Sequence, residues 1–287
     1  MIAERTIHFS TVRFVAAVLV LGVLALVASA GDARAYDLAE GVPVGNGLKV
    51  DIYSPTAASK RRFARKAPVV MYVHGGGWIK GNRKKVYSQH KWLTGKGYVF
   101  VAIDYRPVPR TDIDGQVRDV ATSINWVRRN IKRYGGDGRK IVIMGHSAGA
   151  HLVAMIAAKN AAGPLAGVIP NDVQAYDMVA YGVVRGGIGH PYDKAFGSKI
   201  EDWVRWSPTT YAKRNRNMPP HLIMHSGSQK ARRKQLANGY ANLLRSRGTR
   251  AYTFDGGDYS HGSIARTLGQ DNSATRAVEQ FLARVTK

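Results

Sequence analysis

The chain contains no cysteine. That absence excludes disulfide bonds and a thiol nucleophile, and it excludes lipid attachment through a cysteine behind the N-terminal apolar run. Acidic residues are scarce as well: 19 Asp and Glu face 43 Lys and Arg across 287 residues, a formal charge of +24. Such a field favours anionic surfaces and anionic ligands, but it does not specify a fold. The shortage is sharpest between Pro219 and Arg250, a stretch with no Asp or Glu. Downstream of the N-terminal region, nothing in the sequence is apolar enough to cross a membrane.

What the N-terminus does have reads as an export signal. Arg5 and Arg13 supply positive charge, and Phe14 to Ala30 is a nearly unbroken apolar run. Ala33-Arg34-Ala35 then offers a small-x-small cleavage site before Tyr36, with a second candidate at Ala28-Ser29-Ala30. Residues 1–35 are therefore expected to be a signal peptide, and 36–287 a single domain that is secreted or periplasmic. A retained anchor is the alternative, since a run of about 17 residues sits at the short limit for spanning a bilayer.

From Tyr36 onward strand-like and helical runs alternate, the pattern of a mostly parallel, twisted sheet flanked by helices. Strands are expected at Leu48–Tyr53, Val69–His74, Tyr98–Asp104, Lys140–Met144, Met178–Val184, His221–His225 and Ala251–Phe254. Helices are expected near Tyr87–Thr94, over Val117–Ile131 where apolar residues recur at helical spacing, and over Ala148–Ala158, Ala231–Arg247 and Gly262–Val285. The Gly-, Pro-, Trp- and Tyr-rich stretch from about 185 to 220 reads as a short insertion over the active-site end of the sheet, a lid or substrate wall.

Gly145-His146-Ser147-Ala148-Gly149 carries the strongest chemical signal. A strand reversing abruptly into a helix needs flanking residues without bulky side chains. The serine at the apex is then strained, exposed and placed at a helix N-terminus, where negative charge is stabilised. An apolar strand before and an Ala-rich helix after supply the matching context. Earlier in the chain, His74-Gly75-Gly76-Gly77-Trp78 directly follows a strand. Its glycines let backbone N–H groups approach a ligand atom closely, as an acyl-transfer enzyme requires for the oxyanion on its carbonyl oxygen.

In this order and spacing the two motifs resemble the carboxylesterase branch of the α/β-hydrolases related to hormone-sensitive lipase, particularly its feruloyl-esterase-like and kynurenine-formamidase-like members. Asp104-Tyr105-Arg106 and Trp206-Ser207-Pro208 are similar to that group too. The resemblance runs from about Leu48 to the C-terminus. It implies the α/β-hydrolase fold, Ser147 as nucleophile, an oxyanion hole from the N–H groups of Gly76, Gly77 and Ala148, and His74 bracing the oxyanion loop. It also implies a small-molecule ester substrate, with formamide hydrolysis as the neighbouring chemistry, and neither metal nor organic cofactor.

The general base should follow the last strand, in the order Ser, acid, His. His261 stands there, just before the terminal helix, whereas His151, His190 and His225 are expected to be structural. The acid breaks the pattern. Relatives place an Asp after the strand matched here by His221–His225, and this chain has Gln229 at that position. Three readings follow: Gln229 supports the imidazole through its amide oxygen, Asp258 or Asp193 replaces the missing carboxylate, or the chain is a weakly active or non-catalytic relative that binds the cell envelope. The basic clusters, such as Lys60-Arg61-Arg62, Lys84-Lys85 and Arg214–Arg216, are dispersed and lack interleaved stacking aromatics. Nucleic acid is therefore not an expected partner, and an anionic envelope surface is the partner that the charge favours. The sequence leaves the oligomeric state open.

Overall fold

The computed structural model describes residues 36–56, 66–228 and 230–287. The leader expected at 1–35, the basic run at 60–62 and Gln229 lie outside those residues. Short runs of β-branched residues with few polar interruptions build the centre of the sheet. Strands β3 (Ala67–Val73), β4 (Val99–Ile103) and β5 (Gly136–His146) pair in parallel and are mostly buried on both faces. Continuous apolar runs, not alternating ones, are what a sheet covered on both sides requires. Strands β1 (Tyr36–Gly45) and β2 (Leu48–Pro55) add an antiparallel edge beside β4. On the other side follow β6 (Gly167–Asn171), β7 (His221–Ser226) and β8 (Ala251–Gly256), all parallel. The eight strands lie in the order β1-β2-β4-β3-β5-β6-β7-β8.

Helices cover both faces. On one side α1 (Gln89–Gly95) and the terminal α10 (Ser273–Val285) pack with Val70, Phe100, Val142 and Met224. On the other, α2 (Ile113–Asn130), α3 (Ala148–Lys159) and α8 (Lys230–Ser246) pack with Val69, Val101 and Ile143. Among the described residues no helix is long and apolar enough to cross a membrane.

The strand expected over Met178–Val184 is instead a helix, α4 (Met178–Arg185). The Asp177 side chain caps its start by accepting from Ala180 N–H, and Gly186, at φ +76°, ends it in the left-handed region. Such paired start and stop signals outweigh the β-preference of Val and Tyr. Met178 and Tyr181 turn inward while Val183 faces solvent, which is helical and not strand periodicity. The strand at this point in the chain is β6, which ends before Asp172 and is hidden from a sequence reading by Pro170. The edge strand β1, with Gly41 and Pro43 inside it, also escaped expectation. Within the 185–220 stretch lie the short helices α5 (Tyr192–Phe196), α6 (Ile200–Arg205) and α7 (Pro208–Ala212).

Candidate active site

The tight turn between β5 and α3 is built by exclusion of side chains. A Cβ on Gly145 would lie 2.3 Å from the carbonyl oxygen of Gly149, and one on Gly149 would lie 2.1 Å from that of Val73. Both positions therefore require glycine. Ser147 between them is held at φ +56°, ψ −122°, a conformation that L-residues rarely adopt. Its N–H donates to the carbonyl of Asn171 at the end of β6, 3.0 Å away, which ties the elbow to the next strand.

Ser147 Oγ lies 3.0 Å from His261 Nε2, and His261 Nδ1 lies 2.6 Å from Asp172 Oδ2. The carboxylate accepts Nδ1–H, which leaves Nε2 free to accept the serine proton; this tautomer follows from the hydrogen-bond network. His261 occupies the loop after β8, where its N–H donates to Ser228 Oγ and its carbonyl accepts from His146 Nε2 at 2.7 Å. The His146 ring also packs against the His261 ring, centroids 4.7 Å apart.

Asp172 corrects the expected placement of the acid. Asp258 is exposed on a turn, and the half-exposed Asp193 faces His190 at 3.9 Å. The carboxylate on the imidazole comes instead from the end of β6, one strand before the place the relatives' pattern indicates. Asp172 is fully buried, at φ +63°. Its Oδ1 accepts from Ser226 N–H at 2.9 Å and pairs with Arg233 at 3.1 Å. Burial alone would raise its pKa. The His261 hydrogen bond and the Arg233 charge outweigh that and hold it at about 2. A run of Val and Ile closing on Asn-Asp, lying between the serine and the histidine in chain order, was the signal available in the sequence.

The glycine loop stands beside the serine. Gly76 at φ +141° and Gly77 at φ +60° line the same cavity as Ser147, and a Cβ on Gly76 would lie 1.8 Å from the carbonyl oxygen of Lys80. Ala148 is buried at the first position of α3, where an N–H has no partner within its own helix. His74, also buried, donates from Nδ1 to Gly75 O at 2.9 Å and stacks on Tyr105, whose hydroxyl donates to His74 O.

The other histidines have separate tasks. His151 accepts from Trp78 Nε1 and donates to Trp206 O, and burial lowers its pKa to about 4. His225 is buried below Asp255. His190 lies in the cavity wall with Pro191 and Tyr192 of the insertion.

The cavity measures about 590 Å³, with Trp78, Tyr181 and Tyr192 among its walls. His146, Asp172 and His261 bring three possible metal-ligand atoms within 4.8 Å of one another. A cation there would have to share Asp172 with the Arg233 guanidinium and break the His261 contact, so the donor set suits proton relay better than metal binding.

Residues 50–182 match the family model described as BD-FAE. Esterase LipQ of Mycobacterium tuberculosis is 38% identical over 117 residues, 40% of this chain and 28% of LipQ. The probable carboxylic ester hydrolase LipM of the same organism is 27% identical over 249 residues, 76% of this chain and 54% of LipM. The chain thus spans about a quarter to a half of the length of these relatives. Among solved structures, esterase B of Lactobacillus rhamnosis, inhibited by a tributyrin phosphonate, superposes with a TM-score of 0.70 at 18% identity, over 88% of this chain and 87% of that one. A thermostable esterase from Pseudomonas putida gives 0.69 at 20% identity, over 88% and 84%. The fold is that of the α/β-hydrolases.

Proposed function

We propose, from its membership of the α/β-hydrolase family of the carboxylesterase type, that the chain hydrolyses carboxylic esters through an acyl-enzyme on Ser147. The unbroken relay from Ser147 through His261 to Asp172, 3.0 and 2.6 Å long, carries this reading. Ser147 Oγ attacks the carbonyl carbon while His261 Nε2 takes its proton. The N–H groups of Gly76, Gly77 and Ala148 receive the negative oxygen of the tetrahedral intermediate. Its collapse breaks the C–O bond, and the alcohol departs with the proton from Nε2. Water then attacks the acyl-serine, His261 again takes the proton, and the acid is released with Ser147 restored. Asp172 holds the imidazole in the required tautomer and balances the imidazolium.

The reading of the chain as a non-catalytic envelope binder rested on a missing carboxylate, and Asp172 removes that motive. The expected leader makes the site of action extracytoplasmic. The test is covalent labelling of Ser147 by a fluorophosphonate, paired with turnover of a short-chain p-nitrophenyl ester. Ser147→Ala should lose the label and leave only binding and oxyanion effects, a residual of about 10³–10⁴ over water in triad enzymes. Wild-type turnover no faster than that of Ser147→Ala would end the proposal.

A further inference from the structure

The cavity wall holds an uneven set of charges. Lys80, Lys85, Arg185, Arg233 and Arg266 line it, and among the described residues no Asp or Glu does. Arg233 is already spoken for by Asp172 at 3.1 Å. The other four side chains are exposed. Arg185 donates to its own loop at Gly187 O. Lys80, Lys85 and Arg266 have no carboxylate partner among the described residues, although this protein pairs many of its cations elsewhere: Arg83 with Asp51 and Asp104, Lys84 with Glu40, Lys234 with Asp255. The acid nearest the wall in sequence is Asp193, which faces His190.

These cations reach the mouth from three separate segments. Lys80 and Lys85 follow the glycine loop, Arg266 ends α9 (Ser263–Arg266) directly behind His261, and Arg185 ends α4 at the start of the insertion. Like charges drawn together around a concave, partly apolar site repel one another, and a cleft focuses their field inward. A neutral ester gives that arrangement nothing to bind.

We infer that the substrate is an anionic ester, one bearing a carboxylate or phosphate within reach of Lys80, Lys85, Arg185 and Arg266 while its carbonyl carbon meets Ser147. This specificity rests on the hydrolase reading above. Lys80 and Arg266 are substrate-positioning residues in it, and the anion remains on the substrate throughout the reaction.

The test compares 4-acetoxybenzoate and 4-acetoxyphenyl phosphate with neutral 4-acetoxybenzamide, using the full chain and normalising each rate to its uncatalysed hydrolysis. Several unpaired cations at the mouth of a cleft should favour the anionic esters by about tenfold in kcat/KM at low salt, mainly through KM, with the preference shrinking as NaCl is added. The better of the two anionic esters tells carboxylate from phosphate. Lys80→Gln with Arg266→Gln should reduce the preference several-fold, through a rise in KM for the anionic esters. Lys132→Gln, at the opposite end of β5 from Ser147, should leave the preference intact. Equal normalised rates for charged and neutral esters would overturn the inference alone, as would a preference that Lys132→Gln erodes as much as the double variant does. Hydrolysis of none of the three, together with no fluorophosphonate label, would overturn the hydrolase reading and this inference with it.

Discussion

Asp172→Asn is the sharpest perturbation of the proposed chemistry, because the surroundings of that side chain dictate which way the amide must face. Two donors converge on Oδ1: Ser226 N–H at 2.9 Å and the Arg233 guanidinium at 3.1 Å. An asparagine must therefore keep its oxygen toward them, since the flipped amide would set NH₂ against both donors in a fully buried position. Its NH₂ then faces His261 Nδ1, which has to become an acceptor. The imidazole proton moves to Nε2, where it points at Ser147 Oγ, and the base can no longer take the serine proton. Loss of the same carboxylate in serine proteases lowers kcat by about 10⁴, and a fall of about 10³–10⁴ is expected here.

Stability should fall less than activity. The variant leaves Arg233, 9% exposed, with a neutral acceptor, and breaking a buried pair outright costs about 3–5 kcal/mol. The retained amide oxygen should hold the loss to about 1–3 kcal/mol. The assay is kcat on one p-nitrophenyl ester for Asp172→Asn, Asp193→Asn and Asp258→Asn, with folding checked by thermal unfolding. Near-normal activity of a folded Asp172→Asn, with a large loss at Asp193 or Asp258, would refute the assignment.

Two further outcomes are expected. His151 and His221 are both fully buried and burial holds each at about pKa 4, so acidification protonates them in the unfolded chain first. Stability should decline as pH falls from about 6.5 toward 4, by up to about 1.4 kcal/mol per pH unit for each group. Below that range Asp172, held at about 2, adds its own loss as it takes up a proton. Urea unfolding across pH 7 to 4.5 checks this: His221→Asn, which can keep the bond to Pro219 O, should flatten the slope, and a flat wild-type profile would contradict it. Expressed in a bacterium with its own leader, the chain should be recovered from the periplasm or medium starting near Tyr36 or Gly31, as read by N-terminal sequencing. Met1 on membrane-bound protein would identify an anchor.

The parts of the site that were legible in the sequence are those that backbone geometry restricts to few residue types. A Cβ on Gly145 or Gly149 would fall within 2.3 Å of a backbone oxygen, so the elbow leaves a literal string in the sequence. The same holds for Gly76, pressed against Lys80 O. His261 was legible for a different reason: it follows the last strand, and chain order alone narrows the candidates. The central strands were legible because burial on both faces demands unbroken apolar runs.

The acid obeys no such local restriction. A carboxylate needs only to reach Nδ1, and the ends of β6 and β7 are neighbours: Asn171 pairs with Met224, and the Asp172 N–H donates to the Met224 carbonyl at 2.9 Å. Either strand end can deliver an oxygen to nearly the same place, so homologous position is a weak guide to which one does. No strand was expected over Gly167–Asn171, where Pro170 interrupts the apolar run, so Asp172 at its end was not considered as the acid. The mistaken strand over Met178–Val184 then occupied its place in the topology. The expectation at Gln229 came from the relatives' pattern after His221–His225, and Asp172 reaches the imidazole from the neighbouring strand end instead. The charge on the cavity wall was hidden in another way, since Lys80, Lys85, Arg185 and Arg266 are spread over nearly two hundred residues and converge only when the sheet brings three loops to one end. Of the clusters evident in the sequence, Lys84-Lys85 contributes Lys85 to that cavity, whereas Arg214–Arg216 does not line it. A basic patch that matters to a substrate is defined by the absence of nearby carboxylates in space, and no window along the chain measures that.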